Sequence, residues 1–137
     1  MKNVKSEKFT QLNFPKGTII LKEGDLGDAA YVISEGKVEI RLDQFGKNPK
    51  ILATRTRGDV IGELALFDDK PHMASVVAVE ETVVNAMSRD EFHRRLEKMD
   101  PVMRGIMKMM VERVREMADD LMESDAEVNW ANWRRKD

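Results

Sequence analysis

A glycine set directly before a short helical turn leaves backbone N–H groups pointing one way. Such an end draws an anion through its unsatisfied donors and the helix dipole. That arrangement is written in Arg57-Gly58-Asp59-Val60-Ile61-Gly62-Glu63-Leu64-Ala65-Leu66-Phe67, which runs on through Asp68-Asp69-Lys70-Pro71-His72-Met73-Ala74-Ser75. Gly62 has no side chain, so backbone and ligand can come close there. Glu63 repels a phosphate but suits a ribose hydroxyl, whose hydrogen bond a carboxylate accepts. The stretch reads as a pocket for a sugar phosphate. The plainer reading of a Gly-Glu pair in a turn is a corner between strands.

The elements that must hold this stretch are legible on both sides of it. Phe9, Leu12 and Phe14 lead into Pro15-Lys16-Gly17, and strand-like segments follow at residues 18–22, 31–34, 37–42, 50–55, 74–79 and 82–87. Between them stand the turn signals Glu23-Gly24-Asp25, Gly27-Asp28, Glu35-Gly36, Gly46-Lys47 and Gly58-Asp59. Short strands cut by glycine turns at this spacing predict a sandwich, jelly roll or small barrel. Val38-Glu39-Ile40-Arg41-Leu42 alternates, which predicts one buried and one wet face.

The period then changes. Ser88 is an N-cap residue with Glu91 three positions on, the pattern of a capping box, and predicts a helix over 89–98. Asp100-Pro101 starts a second, longer helix to about residue 122, with proline at its first position. Asp119, Asp120 and Glu123 crowd its C-terminal end, where the dipole disfavours acids, so the helix is expected to fray near Met122 unless a basic surface meets it. The organisation predicted is a strand-rich domain over 1–98, a long helix over 99–124 and a polar tail over 125–137. Trp130 and Trp133 of that tail read either as exposed residues or as a lid. Arg134-Arg135-Lys136 reads as a solvated end.

Composition excludes several classes. With 137 residues the chain is long enough to bury a core without cross-links. It has no cysteine, which rules out disulfides, zinc-thiolate sites and thiol nucleophiles, and suits a reducing cytoplasm. The net charge of −2 lacks the basic footprint of a general nucleic-acid binder. No apolar run approaches the roughly 20 residues that span a bilayer, and the polar residues 1–10 do not resemble a signal peptide. No metal is expected: the spacing of Asp25, Asp28, Asp68 and Asp69 lacks the register of a calcium loop, and these read as turn residues. His93 reads as a packing or solvated residue. With only two histidines, no phosphate loop and no nucleophile elbow, catalysis is not expected.

Gly62-Glu63-Leu64-Ala65-Leu66, with Pro71 and Ala74-Ser75 after a short gap, resembles the phosphate-binding cassette of cyclic-nucleotide-binding domains. Such domains occur in catabolite-activator-like regulators, protein kinase A regulatory subunits and cyclic-nucleotide-gated channels. Phe14-Pro15-Lys16-Gly17, Glu23-Gly24-Asp25, Tyr31-Val32-Ile33, Gly36-Lys37-Val38, the Gly46 turn and Gly58-Asp59 extend the likeness over roughly residues 9 to 98. The resemblance implies an eight-stranded β-roll, mainly β with C-terminal helices, a short helix inside the cassette and a long last helix as hinge or lid. It implies a cyclic nucleotide, cAMP first, as ligand and no other cofactor. Glu63 would take the ribose 2′-hydroxyl, the backbone of Leu64 and Ala65 the cyclic phosphate, and Ser75 would border the base or phosphate. Gly62, His72, Met73 and Ala74 complete the implied site.

Two departures bear on function. The family usually places arginine after the proline, where this chain has His72. An arginine fork makes two charged bonds at any pH, whereas a histidine makes one and is largely neutral near pH 7. Losing a charge-assisted bond costs about 1.5–3 kcal/mol. His72 thus reads either as a weak phosphate contact or as a loop residue with no ligand role. The helical segment that usually precedes the β-roll is also not evident, and no helix-turn-helix is expected in the 15 residues after Met122.

Three functions follow. The first is a stand-alone cytoplasmic sensor that passes nucleotide state to a partner through the last helix. The second is a degenerate module that binds only proteins, and the third is DNA regulation through a separate DNA-binding chain. Met103, Met107, Met110, Val114, Met117 and Leu121 form a heptad seam on the last helix, suited to self-association, to a partner or to covering the β-roll.

Overall fold

Turns at left-handed glycines fold the strands back on one another, because only glycine takes a positive φ without penalty. The computed structural model describes the backbone of residues 9–127 and the side chains of residues 9–120. Among these, the elements run β1 (Phe9–Phe14), β2 (Ile19–Leu21), β3 (Ala29–Glu35), β4 (Lys37–Leu42), β5 (Lys50–Thr56), β6 (Val60–Ile61), α1 (Glu63–Asp68), β7 (Ser75–Ala78), β8 (Thr82–Ser88), α2 (Arg89–Glu97) and α3 (Pro101–Glu127). They form two units, one ending at Lys98 and one beginning at Met99.

The first unit is the β-roll. Two antiparallel sheets, ordered β1-β8-β3-β6 and β2-β7-β4-β5, each contribute three side chains to one core. Ile33, Ile61 and Val84 come from the first sheet, and Leu21, Val38 and Val76 from the second. Leu12, Phe14, Ile20, Tyr31 and Ile40 pack around them. Burying a side chain of this size stabilises by about 1.5–3 kcal/mol. β7 lies between β2 and β4 and is buried at all four positions, which explains the apolar run Val76-Val77-Ala78 after Ser75. The outer face of β4 is less wet than its alternation predicts: Glu39 and Arg41 are both half-covered and pair with each other at 2.6 Å. β6 is a two-residue strand that the sequence pattern does not announce. Its pairing with β3, Val60 opposite Val32 and Ile61 opposite Tyr31, is what makes it a strand.

Gly36 joins β3 to β4 at φ 103°, with the backbone of Glu81 and Thr82 directly against it. α2 starts where the capping pattern places it, and Ser88 Oγ accepts from the Glu91 N–H at 3.1 Å. The Glu91 carboxylate is buried and accepts from Arg94 and Arg95, both at 2.6 Å. Arg95 lies 5.0 Å over the Phe9 ring, which ties α2 to β1.

The second unit is α3, whose helix runs to Glu127, five residues past the end expected from sequence. The reason is one of scale: acids at a helix end cost about 0.3–1 kcal/mol each, less than a helix breaker, and residues 123–127 include no glycine or proline. Of the seam, Met103, Met110, Val114 and Met117 are exposed and Met107 is partly covered. The Leu121 side chain, Trp130, Trp133 and residues 134–136 lie outside what the structure describes.

Candidate nucleotide site

Gly62 opens α1 in the left-handed region, at φ 81° and ψ 6°. A Cβ there would lie 3.0 Å from Leu21 Cδ1 and 3.2 Å from the Ala29 carbonyl oxygen, so both backbone and space call for glycine. Glu63, the first helical residue, is exposed, while Leu64 is half-buried and Ala65 and Leu66 are buried. This orientation follows from helical period: the two buried residues face the roll and leave the first turn at the surface. No side chain caps the helix start, and the first amides of any helix lack intrahelical acceptors. Glu63, Leu64 and Ala65 therefore present donors at the place where the sequence expects a phosphate. Asp69 ends α1, also left-handed at φ 56°, and its N–H returns to the Ala65 carbonyl. This is the turn role read for it.

The second half of the cassette is zipped to the β2–β3 turn. The His72 N–H donates to the Asp25 carbonyl and the His72 carbonyl accepts from the Gly24 N–H, both at 2.9 Å. Ser75 is fully buried, and its Oγ accepts from the Glu23 N–H at 3.0 Å. Ser75 thus holds the turn in place, and its hydroxyl proton remains for a further partner. Met73 and Ala74 are half-buried between these anchors.

Gly27 brings the two halves together. A Cβ on Gly27 would fall 2.7 Å from Ala65 Cβ and 3.1 Å from His72 Cε1, closer than packed carbons allow. His72 Cε1 also lies 3.7 Å from where a Gly62 Cβ would stand. The imidazole is therefore packed beside the start of α1. Gly62, Ala65 and His72 converge, whereas Glu63 stands at the exposed rim and Ser75 beneath the turn.

Two residues of this neighbourhood escaped the sequence reading. Gly27 was legible as a turn but not as a packing requirement. Arg89 reaches from α2 to the Gly27 carbonyl and the Asp69 carboxylate, partners 62 and 20 residues away, and no local signal marks it. Nearby, burial and the Asp28 carboxylate both raise the Tyr31 phenol above its ordinary 10.0, so it is neutral around pH 7. Among the described residues no group of three or more histidine or acidic side chains is placed to hold a metal. No described helix is long and apolar enough to cross a membrane.

The cyclic nucleotide-binding domain model matches residues 11–99. The chain is 43% identical over 93 residues to a cAMP-dependent protein kinase regulatory subunit of Emericella nidulans, covering 68% of this chain and 22% of that protein. It is 32% identical over 108 residues to the Cyclic AMP receptor protein of Thermus thermophilus, covering 79% and 50%. The chain thus spans from a fifth to a half of the length of these relatives. Among solved structures it resembles the EAL enzyme Bd1971 in its cAMP-bound form, with TM-score 0.72 and 30% identity over 85% of this chain and 32% of that one. The cGMP-bound form of the same enzyme gives TM-score 0.73 and 29% identity, over 92% and 34%. A domain match over most of the β-roll, on a fold with this cassette at its centre, places the chain in the cyclic nucleotide-binding domain family.

Proposed function

We propose that the chain is a regulatory sensor in the cytoplasm that binds a cyclic nucleotide, cAMP or cGMP, and passes its occupancy to a partner through α3. The observation that carries this reading is the meeting of Gly62, Ala65 and His72 around Gly27, which packs an imidazole beside the start of α1. Glu63, at the rim, accepts the hydrogen bond of the ribose 2′-hydroxyl. The amides of Leu64 and Ala65 take the cyclic phosphate, and His72 adds a positive charge when protonated. The relatives support the ligand class, since their names specify cAMP and one solved neighbour holds cAMP or cGMP. Calorimetric titration of the full chain with cAMP and with cGMP tests it. Binding to at least one, abolished by Glu63→Ala, is the expected result.

The second reading is a module that keeps the fold and binds only proteins, and His72 in the family's arginine position favours it. That reading prevails if the His72→Arg protein gives no heat with either nucleotide at millimolar concentration.

A further inference from the structure

Arg89 follows the last strand with no loop between. The β3–β8 ladder pairs Ala29 with Ser88, and this carries the Arg89 N–H onto the Asp28 carbonyl at 3.0 Å. The side chain then turns back over the β2–β3 turn. Its Nη2 donates to the Gly27 carbonyl, and its Nη1 pairs with Asp69 Oδ1. A planar guanidinium holds two acceptors at a fixed angle, which an ammonium does not. One side chain thus ties the start of α2 to the end of α1 and to the turn between β2 and β3.

That turn is the wall of the site. Gly27 packs on Ala65 and on the His72 ring, and Gly24 and Asp25 hold the His72 backbone on both sides. Fixing the Gly27 carbonyl fixes the surface on which the imidazole rests.

We propose that Arg89 is a positioning residue for the ligand site, setting His72 against the start of α1 through Gly27. This rests on the cyclic-nucleotide reading above. The test is a double-mutant cycle, Arg89→Gln with His72→Ala, read as cAMP affinity of the full chain by calorimetry. Arg89→Gln is expected to weaken binding about tenfold, the scale of one charge-assisted hydrogen bond. In the His72→Ala background it should cost less than about twofold, and Arg89→Lys should recover part of the loss. An equal loss in both backgrounds, or none, overturns the positioning role while cAMP binding stands. Failure of the unaltered protein to bind cAMP or cGMP overturns the underlying reading and this role with it. A second measurement needs no ligand: in free Arg89→Gln, or in Arg89→Lys should the glutamine form not fold, the His72 ring-proton resonance should move while the Val38 and Val84 methyls stay. An unmoved His72 signal overturns the proposal.

Discussion

Phe67 and Phe92 meet edge to face, ring centroids 5.5 Å apart at 72°, and so join the cassette helix α1 to α2. Such a pair is worth about 0.5–1.5 kcal/mol beyond the area it buries. Both rings are half-covered, so Phe92→Ala is expected to lower stability by about 2 kcal/mol, below the range of a full core truncation. Urea unfolding measures this. A loss under about 0.5 kcal/mol, the scatter of surface substitutions, would mean that the two helices are held together elsewhere.

Gly62 and Gly36 separate a binding defect from a folding defect. Alanine at 36 would place its Cβ 2.5 Å from a backbone oxygen, which cannot yield as a side-chain tip can. Gly36→Ala should destabilise by about 2–4 kcal/mol through φ strain and overlap, with cAMP affinity unchanged in the molecules that fold. Gly62→Ala meets the softer Leu21 tip at 3.0 Å and a backbone oxygen, that of Ala29, only at 3.2 Å, and should cost about 1–2 kcal/mol while reducing affinity at least tenfold. Thermal unfolding and calorimetry on both variants check the contrast. Equal affinity losses would refute it.

On the proposed reading, His72 would answer the single negative charge of a cyclic phosphate only when protonated, and a histidine ordinarily protonates as pH falls through about 6.5. Binding should therefore tighten from pH 8 to pH 6, by about tenfold if one charge-assisted bond is gained. His72→Arg should raise affinity at pH 8 and flatten the profile, because arginine stays charged. An unaltered protein with a flat profile over this range would remove His72 from the phosphate contact.

The exposed seam on α3 predicts self-association. Met103, Met110, Val114 and Met117 are 51%, 60%, 45% and 69% exposed, and they recur at heptad steps along one helix face. Sedimentation velocity over a range of concentrations should show a reversible dimer. Val114→Asp should weaken it at least tenfold, since a carboxylate would be buried without a partner. A single monomeric species at the highest concentration would refute the dimer.

The turn and cap chemistry of the β-roll was legible because it is local. Glycines at 24, 36, 58 and 62 all take positive φ, and Ser88 caps α2 by a bond to a residue three positions away. The strand at Lys37–Leu42 and the helix starts at 89 and 101 follow from period and capping alone. The left-handed Gly62 and the helix start at Glu63 were legible for the same reason, since the glycine and the first helical turn are neighbours in sequence.

Long-range pairing decided the rest. β6 is too short to carry a period and exists through β3. Gly27 reads as a turn residue until the fold sets Ala65 and His72 against its Cα. Ser75 reads from the resemblance as bordering the base or phosphate, and only the fold shows that its oxygen also accepts from the Glu23 amide. Arg89 reads as the first residue of a helix, and the tertiary structure lays its guanidinium across the Gly27 turn and the end of α1. A sequence determines which local conformations are cheap. Which distant side chains come to share a wall depends on how two sheets register over one core, and that is a property of the whole chain.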